Sequence, residues 1–185
     1  MRKNIDPKAY ICPLPVLVIG SYDENQIPNA MTAAWGSVCD TNLVSVVISS
    51  THKTMKNILL NKEFSVSITN EENIVEADYI GIVSGNSNLN KLEKITWTVQ
   101  KSEFVNAPIF LELPLTLECK MIEYDEEKEM LIGEVINVSV DEKIINNGKI
   151  DIDLLKPVCY DTFGHNYYVM NKIVGKAFSD GKKVK

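Results

Sequence analysis

The segment Leu115 to Val140, LTLECKMIEYDEEKEMLIGEVINVSV, contains two apolar runs separated by an acidic tip. Glu118–Tyr124 and Glu129–Val135 lie on either side of Asp125-Glu126-Glu127-Lys128. Two runs of this composition joined by a short polar stretch are typical of a β-hairpin. The segment therefore predicts two antiparallel strands connected by a solvated turn.

Further short runs rich in Val and Ile lie upstream of this hairpin and are bounded by turn residues. They are Pro15–Ile19, Leu43–Ser49 and Phe64–Thr69. Such compositions favour strands. Because many short strands occur without a regular alternation of strand and helix, we expect a mainly β fold, an antiparallel barrel with a few short helices.

Helical signals are fewer. Thr54 is expected to cap a short helix that ends near Asn61, and a second helix is expected from about Asn73 to Val83. Asn146-Asn147-Gly148-Lys149 predicts a turn, and Lys182-Lys183-Val184-Lys185 a frayed tail.

Length and composition indicate one globular domain over residues 1–185, with 45% hydrophobic and 24% charged residues. The formal net charge of −6 disfavours nucleic acid and anionic membranes as partners. A few local cations and N–H groups could still hold one small anion, because they act over short distances. A phosphate-bearing cofactor therefore stays possible.

The cysteines give no sign of a disulfide framework or a metal site. Cys12, Cys39, Cys119 and Cys159 are widely separated and lack histidines at zinc-ligand spacing. The polar N-terminus contains no signal-peptide core, and no apolar stretch is long enough to cross a membrane. We therefore expect reduced thiols and a cytoplasmic protein.

Several common catalytic motifs are absent. The chain contains neither Gly-x-Gly-x-x-Gly nor a P-loop, which argues against a Rossmann dinucleotide site or a nucleoside triphosphate site. His52 and His165 are far apart in sequence, and no Gly-x-Ser-x-Gly elbow is present. A hydrolase triad would therefore need an unusual arrangement.

The segment Pro28-Asn29-Ala30-Met31-Thr32-Ala33-Ala34-Trp35-Gly36 alternates small, polar and aromatic residues. Small residues let backbone groups approach the edge of a flat redox ring, while an apolar surface holds its plane. The segment is a candidate cofactor wall. Taken alone, the segment fits an ordinary strand with Trp35 packed in the core at least as well as it fits a cofactor wall.

Two polar stretches are candidates for a phosphate site. Ser49-Ser50-Thr51-His52-Lys53-Thr54 combines hydroxyls, basic groups and the first N–H groups of a predicted helix. The alternative is an ordinary helix cap with solvated neighbours. Ser84 to Lys91 is a polar turn that ends in a lysine, and its composition is common in surface loops.

Taken in order, these motifs resemble the flavin reductase-like family of FMN-binding split barrels, and in particular its flavoredoxin branch. The resemblance rests on Asn29-x-x-Thr32-x-x-Trp35, Ser50 to Thr54, Ser84-Gly85 with Lys91, Ala107-Pro108, Leu117-Glu118-Cys119-Lys120, Gly133-Glu134-Val135, Leu155-Lys156-Pro157, Tyr160, Tyr167-Tyr168 and Ile173-Val174-Gly175. It covers nearly the whole chain. It implies a Greek-key split barrel that forms a homodimer, with FMN near the subunit interface and NAD(P)H or a redox protein as electron donor.

The resemblance also implies roles for individual residues. The ring and ribityl chain of FMN would be lined by Asn29, Met31, Thr32, Ala33, Ala34 and Trp35. The phosphate would be surrounded by Ser49, Ser50, Thr51, His52 and Thr54, with Lys91 as an additional cation. The chain departs from the family where relatives carry an arginine before the equivalent of Thr54, because His52 and Lys53 lack the arginine fork. No catalytic residue is assigned: we expect His165 to be a surface loop residue and Cys39 a small core residue.

Three functional hypotheses follow. The first is an FMN-dependent NAD(P)H oxidoreductase, in which bound FMN passes electrons to an acceptor. The second is a non-enzymatic carrier that moves electrons between two redox proteins and docks through its acidic surface. The third is a split barrel that binds a different small molecule.

Overall fold

Antiparallel strand pairing organises the computed structural model, which describes residues 1–184. Its strands are β1 (Leu14–Pro15), β2 (Leu17–Tyr22), β3 (Pro28–Ala33), β4 (Gly36–Asp40), β5 (Leu43–Val47), β6 (Glu63–Ile68), β7 (Val99–Lys101), β8 (Pro108–Phe110), β9 (Leu115–Asp125), β10 (Met130–Val140), β11 (Ile145–Asn146), β12 (Lys149–Ile150), β13 (Val158–Asp161) and β14 (Asn166–Val169). Its α-helices are α1 (Lys53–Asn61), α2 (Ile74–Ile82) and α3 (Ile152–Leu155). Short 3-10 turns cover Glu71–Asn73, Lys91–Lys94, Glu142–Ile144 and Asp180–Lys183.

The predicted hairpin is confirmed and lies at the centre of the main sheet. β9 and β10 pair along their whole length, from Met130 opposite Asp125 to Val140 opposite Leu115. Seven antiparallel strands follow the order β3-β2-β6-β9-β10-β5-β4, which places strands from distant parts of the chain side by side. This order gives a curled half-barrel with Greek-key connectivity, as the mainly β prediction required. β1, β13 and β14 form a second, smaller sheet.

Strand β2 is buried on both faces, which explains its unbroken apolar sequence. Leu17 and Ile19 point into the barrel core, where they join Phe64 and Leu131. Val18 faces the other way, into a second core cluster that packs under helix α2. The alternation follows from the two-residue period of a strand. The main sheet is therefore covered by helix α2 near β2 and β3.

The two predicted helices are present, with one correction at the start of the first. Helix α1 begins at Lys53 and is preceded by His52 in an extended conformation, so Thr54 lies inside the helix and is not its cap. Thr54 is buried, and its hydroxyl accepts a hydrogen bond from Asn29 instead of capping its own helix. Helix α2 matches the predicted range within one residue at each end.

The first predicted strand, and the predicted turn and tail of the C-terminal half, agree with the structure in part. The predicted strand at Pro15–Ile19 is shifted, because β2 extends to Tyr22 and Val16 separates it from β1. Asn147 and Gly148 adopt positive φ between β11 and β12, as the predicted turn requires. Lys182 and Lys183 lie in a 3-10 turn, whereas Lys185 is outside the described residues. Among residues 1–184, no helix is long and apolar enough to cross a membrane.

Candidate functional site

The end of strand β3 forms one wall of a cleft of about 270 Å³, which we name the main groove. This wall consists of Met31, Thr32, Ala33, Ala34 and Trp35. The opposite side comes from the end of β5, the turn that follows it and the start of β10, and consists of Val47, Ile48, Ser49, His52 and Glu129. The structure thus brings seven of the twelve predicted site residues to one cleft: Met31, Thr32, Ala33, Ala34, Trp35, Ser49 and His52.

Trp35 is a surface residue of the groove and not a core residue. Its side chain is 64% exposed, although it is one of only two tryptophans in the chain. The other, Trp97, is buried in the second core cluster and donates its indole N–H to Asn73 Oδ1 over 2.9 Å. Exposing a large aromatic surface is unfavourable unless something covers it. The interpretation of Trp35 as core filler is therefore wrong.

The turn between β5 and helix α1 gathers hydroxyl and N–H groups. Ser49 Oγ lies 3.1 Å from Thr51 Oγ1, and the His52 N–H donates to Ser49 O over 3.1 Å. Within residues 1–184 no side chain caps the first turn of α1. Its leading N–H groups are therefore left for solvent or for an anion, which the helix dipole favours. Ser50 belongs to the same turn but faces Tyr124. Burial raises the pKa of Tyr124, and a hydrogen bond with Ser50 offsets part of this increase.

Asn29 and Thr54 lie behind the groove and join its two sides. Asn29 Nδ2 donates to Thr54 Oγ1 over 2.7 Å, and both side chains are buried. Gly85 packs so tightly against Asn29 Oδ1 that a Cβ there would overlap it. These two predicted site residues do not line the cleft; their contact holds strand β3 against helix α1.

The polar stretch from Ser84 to Lys91 comes next to the Ser49–His52 turn, as the order of motifs predicted. Asn86 Nδ2 donates to Thr51 O over 3.0 Å, and Lys56 Nζ donates to Asn86 Oδ1 over 3.1 Å. Three segments that are far apart in sequence are thereby held around a single site.

Lys91 has a different environment from the other predicted residues. Its side chain is 2% exposed, and its ammonium donates to Ile80 O and Val83 O over 2.7 and 2.8 Å. These carbonyls belong to the C-terminal end of helix α2, so Lys91 satisfies acceptors that the helix leaves unpaired. Burial lowers the pKa of Lys91 from 10.5 to about 8. Its role as a cation for phosphate remains a prediction.

A second cavity of about 300 Å³ adjoins the main groove through Thr32 and Ala34. Tyr167 Oη donates to Asp78 Oδ1 over 2.7 Å on its rim, and the ring of Tyr160 lies 6.0 Å from that of Tyr167. Burial, followed by the hydrogen bond and negative charge of Asp78, raises the pKa of Tyr167 to about 12. Tyr167 is therefore protonated at neutral pH and remains a hydrogen-bond donor.

The structure contradicts the expectation for Cys39 and confirms the one for His165. Cys39 was expected in the core, but it is exposed on β4, because β4 is an edge strand and most of its side chains face solvent. His165 is a loop residue as expected, with positive φ between β13 and β14. Its Nδ1 nevertheless lies 2.5 Å from Tyr160 Oη, so the loop is tied to the second cavity.

The far wall of the main groove could not be recognised from the local sequence. Val47, Ile48 and Glu129 reach the main groove because β5 pairs with β10, where the Ile48 N–H donates to Glu129 O over 2.8 Å. Glu129 was assigned only to the hairpin. The acidic tip next to it was the one available signal, and it indicated a solvated turn.

The fold and these cavities define a small split barrel with a ligand groove at the edge of its main sheet. The family model described as "Flavin reductase like domain" matches residues 9–161. The chain belongs to this family.

Similar proteins point to the flavoredoxin branch of the family. The structure resembles flavoredoxin of Desulfovibrio vulgaris (Miyazaki F), with a TM-score of 0.93 and 32% identity over 98% of this chain and 100% of that one. Flavoredoxin from Methanosarcina acetivorans gives a TM-score of 0.87 and 27% identity, with both chains fully covered. An uncharacterised protein of Archaeoglobus fulgidus is 30% identical over 85% of this chain and 89% of its own length.

Proposed function

We propose that this protein binds FMN in the main groove and uses it for electron transfer. The observation that carries the proposal is the convergence of residues 29–35, 49–54 and 84–91 on one site. A planar ring needs small side chains beside an apolar surface, and a phosphate needs hydroxyl and N–H donors. The residues of the groove fit both requirements.

In this proposal each predicted residue has a task. The ring would be held by a continuous wall in which only Met31 and Trp35 are large, namely Met31, Thr32, Ala33, Ala34 and Trp35. Ser49, Thr51 and His52 would hold the phosphate together with the uncapped first turn of α1. The supporting residues would be Asn29, Ser50, Thr54 and Lys91.

FMN, when bound, supplies a ring that accepts two electrons and can release them singly. We infer an oxidoreductase that takes electrons from NAD(P)H, and the relatives named flavoredoxins support redox work. The second cavity leaves room beside the ring for a transient donor. Tyr167 would orient a polar group of that donor by accepting a hydrogen bond from it, since the one hydroxyl proton of Tyr167 is donated to Asp78 Oδ1.

Three further expectations are part of the same proposal. We infer a single functional domain over the whole chain, a homodimer, and a cytoplasmic location. Apolar side chains exposed on β4, β9 and β10, such as Val38, Ile122 and Val138, support self-association.

The proposal is tested by titrating the purified chain with FMN and then mixing the complex anaerobically with NADH or NADPH in a stopped-flow instrument. We expect stoichiometric binding and bleaching of the flavin absorbance by at least one of the two donors. A chain that shows no flavin spectrum after incubation with FMN would rule out the site assignment. A chain that binds FMN but is bleached by neither donor would rule out the NAD(P)H oxidoreductase.

The net charge of −6 favours a second candidate, an electron carrier without its own NAD(P)H activity. An acidic surface attracts a basic redox protein and speeds its association at low ionic strength. The two candidates differ in the stopped-flow result, because a carrier is reduced by its partner protein and not by NADH or NADPH.

A further inference from the structure

We propose that an apolar cavity beside Trp35 binds a flat quinone, and that this quinone accepts electrons from the flavin. This indole cavity has a volume of about 610 Å³. One wall is the N-terminal segment 8–11 with Leu14, and the other walls are Trp35, Tyr160, Thr162 and His165. The assignment of a binding site rests on the geometry of the cavity, whereas the role of the quinone as electron acceptor rests on the proposed function.

The N-terminal wall of the indole cavity is fixed to the rest of the fold. Strand β1 pairs with β13, and ahead of this strand Ile11 O accepts a hydrogen bond from Thr162 Oγ1 over 3.3 Å. The ring of Tyr10 lies 5.7 Å from the ring of Phe163 in the β13–β14 loop. The cavity is therefore a feature of the folded barrel, formed between its first strand and this loop.

The lining of the cavity predicts a flat, uncharged ligand. Ile11 is 67% exposed and Trp35 is 64% exposed, so the cavity offers open apolar surface. Among residues 1–184, Lys8 is the only lysine, arginine or carboxylate of the lining, and it is exposed. A dinucleotide would have to bring its pyrophosphate against this apolar surface, which is unfavourable. A conjugated ring instead stacks on the indole, and the volume is typical of small-molecule sites.

One polar pair interrupts the apolar lining. Tyr160 Oη and His165 Nδ1 are 2.5 Å apart, and the two rings stack with their centres 6.1 Å apart. A neutral tyrosine and a neutral histidine have two polar hydrogens between them, and one of these lies in the mutual hydrogen bond. The other hydrogen is free in either tautomer of the histidine. The pair therefore always retains one donor for an oxygen atom of a ligand.

The loop that carries His165 is held in one conformation. His165 has a φ of 56°, in the left-handed region, and its N–H donates to Asp161 O over 3.0 Å. The Asp161 carboxylate accepts hydrogen bonds from the N–H groups of Phe163 and Gly164 over 2.8 and 3.0 Å. Left-handed conformations of residues other than glycine persist where surrounding contacts fix them, and they are common at ligand sites. The imidazole is thus in place before a ligand binds.

These features match the chemistry of a quinone. Its ring is flat and apolar, and its carbonyl oxygens accept hydrogen bonds from the free donor of the Tyr160–His165 pair. Trp35 lines both the indole cavity and the main groove, so a quinone in the cavity lies next to the proposed flavin site. Two electrons and two protons pass from the reduced flavin, which becomes oxidised, to the two carbonyls of the quinone, which become the hydroxyls of the hydroquinone.

Binding is tested with duroquinone, whose fully methylated ring does not alkylate the exposed thiols of Cys12 and Cys39. Equilibrium dialysis against the FMN-saturated wild type should show one quinone bound per chain. Ile11→Asp places a charge on the apolar wall and should weaken this binding about tenfold or more. Ile5→Asp is the matched control, because Ile5 is also 67% exposed but does not line the cavity.

Three results of the dialysis would overturn the proposal. The first is a wild type that binds no duroquinone, and the second is an equal loss of affinity in Ile11→Asp and Ile5→Asp. The third is displacement of duroquinone by FMN, because it would place the quinone in the main groove.

The polar pair is tested with the double variant Tyr160→Phe/His165→Leu, because either residue alone retains a donor. Both substitutions keep an apolar side chain of similar size. We expect the affinity for duroquinone to fall about threefold or more, as for the loss of one hydrogen bond, while the affinity for FMN stays the same. An unchanged affinity for duroquinone would contradict the assigned hydrogen bond and with it the proposal.

Electron transfer supplies a separate readout. The FMN complex is reduced photochemically under anaerobic conditions and mixed with duroquinone. We expect the absorbance of oxidised flavin to return, and to return more slowly in Ile11→Asp than in Ile5→Asp. Binding of duroquinone without reoxidation would overturn its role as acceptor. A wild type that binds no FMN contradicts the proposed function instead, and dialysis of the FMN-free chain and its two variants then decides whether the indole cavity binds a quinone.

Discussion

At the scale of single residues, we expect Trp35 to contribute to FMN binding but little to the stability of the fold. We expect Trp35→Ala to weaken FMN binding roughly tenfold, because the aromatic wall of the groove is lost. The free energy of unfolding should change by less than about 0.5 kcal/mol, since the indole is mostly exposed. Fluorescence titration and urea unfolding measure the two effects.

Trp97→Ala is the control for this prediction. Its side chain is buried between Phe110 and the other members of the second core cluster, so its removal should cost about 3–5 kcal/mol. A loss of stability in Trp35→Ala comparable to that in Trp97→Ala would mean that Trp35 is part of the core after all.

Lys91 gives the chain a pH dependence of known sign. The folded state releases the Lys91 proton near pH 8, whereas the unfolded chain keeps it to about 10.5. Between these values the unfolded state binds more protons, so the contribution of Lys91 to the unfolding free energy rises with pH. A neutral amine still has two N–H groups for the two carbonyls that it contacts.

We therefore expect wild type to gain stability relative to Lys91→Met between pH 7.5 and pH 10, by on the order of 2 kcal/mol. Urea unfolding of both proteins at the two pH values measures the difference. Parallel pH profiles would show that the Lys91 ammonium is not destabilised by its burial.

At the scale of elements, the contact between helix α2 and strand β3 shapes both cavities. A Cβ at Gly81 would lie 3.1 Å from Thr32 Cβ, and Thr32 is fixed because its hydroxyl donates to Ala77 O. Replacing glycine by alanine inside a helix ordinarily stabilises it by up to about 1 kcal/mol. Overpacking against a fixed neighbour costs about 1–3 kcal/mol and should outweigh that gain.

Gly81→Ala should therefore lower the unfolding free energy by about 1 kcal/mol and weaken FMN binding through the displaced Thr32. Urea unfolding and FMN titration measure these effects. Gly181→Ala serves as the control, because a Cβ at Gly181 would meet nothing within 4 Å. An unchanged or more stable Gly81→Ala protein would mean that helix α2 moves freely on the sheet.

At the scale of the whole molecule, net charge makes a prediction about partners. If the reduced protein passes electrons to a basic cytochrome, the second-order rate should fall roughly tenfold between low and physiological ionic strength. Exchange with a small neutral acceptor is the control and should change little. A rate with the cytochrome that does not depend on salt would argue against docking through the acidic surface.

Local signals were sufficient for much of this fold. The pairing and the tip of the β9–β10 hairpin were predicted correctly, and helix α2 was predicted to within one residue at each end, because periodicity and turn residues act over a few positions in sequence. The start of helix α1 was placed wrongly, since the buried partner of Thr54, Asn29, is 25 residues away in sequence. A local rule for helix caps contains no information about such a contact.

The sequence by itself determined the central strands of the main sheet, the first two helices, the acidic charge and the ordered motifs that resemble the family. Tertiary structure alone decided which side chains meet. It exposed Trp35 and Cys39 at the edge of the sheet, buried the Lys91 ammonium on helix α2, and brought Glu129 and Tyr160 to the cavities. The reason is physical: hydrophobic periodicity identifies a strand and its buried face, whereas the order of strands in a sheet depends on pairings between distant segments.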